Sequence, residues 1–264
     1  MLVLLSLTLL SNAEAVGRKS CNRMVVDNRA YIVCTFDPAA TDLRLLWHDV
    51  QGEPYREFAR LADDLRAQGD TLQFALNAGM YTADFVPVGL YIENGRTLRP
   101  LNRRTIDAPP ARVPNFYKRP NGVFYLENGQ AAILTTAAYA KADPSPRFAT
   151  QSGPMLVNDN ALHPALIEGS TSVTRRSGVG VCENGAVRFA ISESAVNFYQ
   201  FARLFRDHLN CRNALFLDGG RGAGLYSAGL GRNDVSWHGG YGPMFGVVTS
   251  QPHGDKAHAQ PGPP

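Results

Sequence analysis

The 264-residue chain is long enough for one large domain or two small ones, and no Pro/Ser/Gly linker or charge run divides its interior, so one is expected. Its 26 basic and 23 acidic residues leave a net charge of +3, with the basic residues spread along the chain. That spread argues against a nucleic-acid binder, which would gather them on one helix or face, and is compatible with an anionic ligand.

Residues 1–10 are almost wholly apolar, and Ala13-Glu14-Ala15 has the small-x-small form of a cleavage site. We expect a signal peptide over residues 1–15, a single domain over 16–250 and a disordered, Pro/Gly-rich tail over 251–264. The apolar run is too short to span a bilayer, and no cysteine follows it where lipid attachment would need one. The expectation is an exported protein, periplasmic or secreted, without stable membrane insertion. Four cysteines suit an oxidising compartment. Pairing Cys21 with Cys34 and Cys182 with Cys211 is the simplest of the three connectivities, and buried free thiols are the alternative. There is no CxxC spacing, so neither a zinc nor a redox site is expected at the cysteines, and no cofactor is expected.

Residues 31–37 and 43–48 read as two strands around a turn at Pro38-Ala39-Ala40. Phe58, Leu61, Ala62 and Leu65 recur at helical spacing, which predicts a helix over 56–68 ended by Gly69. A buried strand follows and stops at Asn77-Ala78-Gly79. Asn94-Gly95, Asn128-Gly129 and Asn184-Gly185 each lie between apolar runs and predict hairpins. The proline-rich stretch 107–120 is expected as an ordered surface loop, 135–141 as a short helix or turn, and 168–174 as a flexible loop. A second main helix is expected over 196–209 with Ser194 as its N-cap. Two such helices cannot cover many parallel crossovers. The fold class is therefore α+β (mixed α/β), with a largely antiparallel or mixed twisted sheet and two main helices.

The most informative stretch is 213–224. It starts as an apolar strand and stops at Asp218, followed by Gly219-Gly220-Arg221-Gly222. A carboxylate beside backbone without Cβ lets a ligand approach the main chain, and successive glycine N–H groups can face an anion. A tight turn with a solvated Asp218 is the plain alternative. Asn77 with Gly79, Ser152 with Gly153, and Arg176-Ser177 with Gly178 repeat the same polar-plus-glycine ending. Four such endings predict loops gathered at one edge of the sheet. There they offer carboxylate, guanidinium and amide chemistry.

At these residues the chain resembles the phosphodiester glycosidases of the uncovering-enzyme type (N-acetylglucosamine-1-phosphodiester α-N-acetylglucosaminidase), in their exported bacterial branch. The resemblance rests on Asn77-Ala78-Gly79-Met80-Tyr81, Pro87-Val88-Gly89-Leu90, Asn121-Gly122-Val123-Phe124, Gln151-Ser152-Gly153-Pro154-Met155-Leu156-Val157, Arg176-Ser177-Gly178-Val179-Gly180 and Leu217-Asp218-Gly219-Gly220, in that order. It implies hydrolysis of the bond between a sugar's anomeric carbon and a phosphate. The pocket it implies contains Asn77, Arg176 and Asp218, lined by Gly219 and Gly220. The pattern is broken at Ala78, where glycine is common, and at Arg221, where relatives carry glycine and then a small hydroxyl residue.

The combined expectation is a glycosidase-type hydrolase of phosphate-bearing glycans, with Asp218 and Glu193 as catalytic carboxylates. Asn77, Gln151, Ser152, Gly153, Arg176, Ser177, Gly219, Gly220 and Arg221 are the expected substrate contacts. The alternative is a non-catalytic envelope module that binds phosphorylated glycans. Several assignments stay open. Glu193 is either the partner acid or a helix-start acid, and Arg175 could act in place of Arg176. Arg221 either turns into the pocket or pairs with an acid such as Asp234. Trp237-His238-Gly239-Gly240-Tyr241 is a candidate sugar-stacking wall, with core packing of Trp237 as the alternative. His163, His208 and His238 are scattered and read as structural or exposed.

Overall fold

A computed structural model describes residues 20–250. The expected signal peptide and tail lie outside the described residues.

Three sheets carry the fold, and every strand pairing in them is antiparallel. The seven-stranded sheet runs Cys21–Val26, Arg29–Phe36, Val187–Ser192, Arg176–Cys182, Cys211–Gly219, Met155–Asn158 and Ala161–Leu162 in spatial order. A five-stranded sheet holds Arg232–Asn233, Leu225–Ser227, Asp70–Asn77, Met244–Ser250 and Leu43–Leu46, and another holds Arg96–Arg99, Tyr91–Glu93, Phe148–Ser152, Gly122–Glu127 and Gln130–Thr135. The α+β, largely antiparallel class is as expected.

Alternation along each strand divides the apolar residues between two layers. The inner layer is a shared core of all three sheets, where Phe189, Phe74, Phe245 and Phe124 meet at ring distances of 4.8–5.2 Å. The outer face of each sheet is covered by one helix. Phe58–Ala67 covers the sheet containing Asp70–Asn77, Thr136–Ala142 covers the sheet containing Gly122–Glu127, and Phe198–Arg203 covers the seven-stranded sheet.

The two expected main helices are present, and the 135–141 stretch is a third. The last helix passes from α geometry into a π turn over Leu204–His208. Its cap is not Ser194 but Asn197. Asn197 Oδ1 accepts from the Gln200 N–H at 2.9 Å, and Gln200 Oε1 accepts from the Asn197 N–H at 3.1 Å. Ser194 instead accepts from the Ala30 N–H.

The three Asn-Gly pairs turn with positive φ at both residues, as reversal within two residues demands. The Pro38 turn is different. The strands on either side of it enter different sheets, so it is a crossover rather than a hairpin. The cysteines pair as the simplest connectivity has it, Cys21 with Cys34 and Cys182 with Cys211. The second bridge clamps the strands that lead to Arg176 and Asp218.

Candidate active site

The polar-plus-glycine strand endings do gather at one edge, and hydrogen bonds stitch them together. Ser152 Oγ donates to the Leu217 carbonyl at 3.0 Å, and Asn77 Oδ1 accepts from the Gly224 N–H at 3.1 Å. Ser177 Oγ donates to the Asp218 carbonyl at 3.1 Å and accepts from the Asp218 N–H at 3.3 Å. A Cβ on Gly79 would lie 2.4 Å from the Gln151 carbonyl oxygen, so only glycine lets these two loops touch.

Asp218 lies near the end of its strand, between Phe216 and Gly219, where the pairing with Arg176–Gly178 is bulged. Its side chain keeps an opening to solvent and is otherwise closely packed. Burial pushes the carboxyl up to about 6, against a hydrogen bond from the Gly219 N–H to Oδ1 at 2.7 Å. A Cβ on Gly222 would stand 2.2 Å from Asp218 Oδ2, so that glycine is the floor under the carboxylate.

Tyr81 lies within electrostatic reach of Asp218; burial first, and then that carboxylate's charge, raise its phenol above the ordinary range. Its hydroxyl is 3.1 Å from His238 Nε2, and His238 Nδ1 is 3.0 Å from Ser236 Oγ. Phe85 stacks on the Tyr81 ring at 5.8 Å. The sequence alone gives Tyr81 no role, and it offers His238 only as a scattered histidine or as part of a sugar-stacking run over Trp237 to Tyr241. The signal available was the dense run Ser236 to Tyr241, but nothing local points it at Tyr81.

Arg176 is buried, and no acid pairs with it among the described residues. Its Nε donates to the Val196 carbonyl at 2.9 Å and a terminal nitrogen to the Ser172 carbonyl at 3.0 Å. The guanidinium lies 3.7 Å over Phe198 and 5.6 Å from Phe216. Desolvation pulls it down to about 10. These bonds also hold the 168–174 segment, expected to be flexible, together with Asn197 Nδ2 donating to the Glu168 and Ser170 carbonyls.

The other expected contacts are largely occupied within the protein. Gln151 is saturated: Oε1 accepts from the Leu90 and Asn102 N–H groups, and Nε2 donates to the Asn102 carbonyl and Thr136 Oγ1. Gly153 packs against Asn121 and Phe116. The Gly219 N–H is taken by Asp218, and the Gly220 N–H by the Arg175 carbonyl at 2.8 Å. That corrects the picture of two free amides facing an anion. Glu193 contacts Arg232 at 2.9 Å and Arg175 at 3.9 Å, and Asp234 contacts Arg175 at 2.5 Å and Arg232 at 2.9 Å. Asp234 is therefore no partner for Arg221. Arg221 is exposed, without a partner among the described residues, and lines a cavity of about 140 Å³ with Val235 and Trp237. Trp237 is 87 % exposed, which excludes the core reading. His163 is buried, and its Nδ1 accepts from the Ala165 N–H.

Among curated proteins, the uncharacterized protein YigE of Escherichia coli K12 is 35% identical over 185 residues, 70% of each chain. Among solved structures, the zebrafish N-acetylglucosamine-1-phosphodiester alpha-N-acetylglucosaminidase catalytic domain, auto-inhibited by pro-peptide, matches with a TM-score of 0.59 and 13% identity, over 86% of this chain and 81% of its own. A hypothetical protein from Synechocystis matches with a TM-score of 0.52 and 17% identity, over 86% of this chain and 61% of its own. At such identities the two structures show a shared fold. Residues 70–248 match the phosphodiester glycosidase family directly, and with the site's strand endings inside that span, the chain belongs to the phosphodiester glycosidase family.

Proposed function

We propose that this chain is an exported hydrolase that cleaves the glycosidic bond of a sugar-1-phosphate diester. The observation that carries this reading is Asp218, a closely packed carboxylate with one open side and a pKa of about 6, seated where the glycine-marked strand endings converge. In the reaction the C1–O bond breaks and its electron pair leaves with the phosphate monoester. A water oxygen ends on C1. A phosphate leaving group is a weak base and needs little protonation, so the work falls on the positive charge that builds at C1. An ionised Asp218 stabilises that charge or takes the proton from water. The buried Arg176 supplies positive potential for the phosphate. Asn77, Ser152, Ser177 and Gly222 act on the geometry of the Asp218 loop, and Glu193 serves the ion cluster with Arg232. The two disulfides fit the oxidising compartment an exported enzyme would meet.

The test is a panel of glycosyl phosphodiesters. Asp218→Asn is expected to lower kcat by about 10²–10⁴-fold, and equal turnover by the variant would remove Asp218 from the chemistry. The engagement of Glu193 by two arginines favours a second reading, a module that binds phosphorylated glycans without cleaving them. In that case wild-type protein binds the panel with no turnover at any pH.

A further inference from the structure

Lys118, in the proline-rich loop, and Arg176, on its strand, stand over one aromatic ring. The Arg176 guanidinium carbon is 3.7 Å and the Lys118 ammonium 5.9 Å from the centroid of Phe198. Neither cation meets a carboxylate among the described residues. Arg176 has the Val196 and Ser172 carbonyls, and Lys118 has the Asn115 side-chain oxygen at 3.1 Å. His163, the next titratable group towards Lys118, is another base. Arg44, Arg175 and Arg232, also partly buried, each face an acid. Here that acid is missing. Burial and then the charge of Arg176 hold the Lys118 ammonium below its ordinary range, as two cations in poorly screened surroundings require. A pair of like charges kept together without a counter-ion costs stability, and such cost persists at sites that bind something.

We propose that Lys118 and Arg176 form a two-cation seat for the phosphate beside the scissile bond, with Phe198 as its floor. Its place in the reaction rests on the hydrolase reading above; the seat itself requires only phosphate. Phe216 lies 5.6 Å from the Arg176 guanidinium and precedes Asp218 by two residues on one strand. The strand is bulged where it pairs with Arg176–Gly178, between Phe216 and Gly219, so the cation site and Asp218 belong to one short irregular stretch. A doubly positive seat favours a dianion over a monoanionic diester. Inorganic phosphate and phosphate monoesters, the product class of the reaction, are then competitive inhibitors.

The experiment uses the full mature chain, inorganic phosphate as the probe, and the variants Lys118→Met and Lys118→Arg. Phosphate is expected to raise the wild-type Tm, and less so in high salt. Lys118→Met should raise the Tm in the absence of phosphate and weaken phosphate about tenfold, the size of one charge-assisted contact, while Lys118→Arg keeps wild-type affinity. A Lys118→Met protein with unchanged phosphate affinity, or with a lower Tm before phosphate is added, overturns the seat. If wild-type protein cleaves no diester while phosphate binding still depends on Lys118, the hydrolase reading falls and the seat stands. If diesters are cleaved and the inhibition constant of phosphate is the same in Lys118→Met, the seat falls alone.

Discussion

Arg175 and Arg176 are neighbours in sequence and opposites in structure. Arg176 opens its strand, and Arg175 lies just before it. Arg175 emerges among acids, contacts Asp234 at 2.5 Å and keeps about a third of its side chain in water. Arg176 turns inward over Phe198, its guanidinium meets carbonyls and aromatic rings but no acid among the described residues, and desolvation pulls it down to about 10. A few residues away the same division separates the acids. Asp234 is held below the usual carboxylate range: burial works against this, but hydrogen bonding to Arg232 and the charge of Arg175 outweigh it. Asp218 has no cation in contact among the described residues, and burial carries it up to about 6. One region neutralises its charges and the other leaves them unneutralised. The first arrangement serves stability, and the second gives up stability for groups that can act on a ligand.

The sharpest way to test that contrast is the pH dependence of stability. A carboxyl whose folded pKa is raised from 3.8 to about 6 favours the folded state fully below pH 3.8, and that contribution is lost as pH rises through 6. Asp218→Asn should therefore be more stable than wild type at pH 8, by up to about 3 kcal/mol, with the gap closing towards pH 4. Asp234, whose pKa is lowered, has the opposite sign: its contribution is present at neutral pH and is lost on acidification. Denaturant unfolding from pH 4 to 8 reads both, and a pH-independent gap for Asp218→Asn would end the contrast between the acids.

The arginines offer the next test. Arg176→Met keeps most of the volume over Phe198 and removes an unneutralised buried cation, so it should be stabilising by about 1 kcal/mol while turnover of phosphate-bearing substrates collapses. Arg175→Met breaks a partly exposed pair and should cost less than about 1 kcal/mol. Opposite signs in paired urea titrations sustain the comparison, and equal destabilisation breaks it. The smallest effect belongs to Arg221, which is exposed and unpaired among the described residues. Arg221→Ala should weaken phosphate-bearing ligands by about 1 kcal/mol and neutral sugars not at all. Calorimetric titrations at low and high salt check this, because a real phosphate contact fades with salt.

Local pattern made much of this protein readable. The helix over Phe58–Ala67 follows from its apolar spacing, the three Asn-Gly reversals from their dipeptides, and the antiparallel class from having too few helices to cross over. Asp218 could be singled out because a charge that ends an apolar strand beside glycines is a local event. Ser194 was misread as a cap because capping is settled by which side chain reaches which N–H, and Asn197 with Gln200 makes the closed box. The Pro38 turn was misread because a turn residue signals reversal and not which sheet receives the next strand.

The sequence by itself determined the helix over Phe58–Ala67, the Asn-Gly reversals and the list of polar strand endings. Each depends on spacing along the chain. Only the tertiary structure decided which of those polar groups remain available. It saturated Gln151, occupied the Gly219 and Gly220 amides, and joined Glu193 to Arg232. It also brought Lys118 to Arg176 and His238 to Tyr81 across 58 and 157 residues of chain. Hydrogen-bond capacity and desolvation are properties of a group's surroundings, and those surroundings exist only once the three sheets have closed around their shared core.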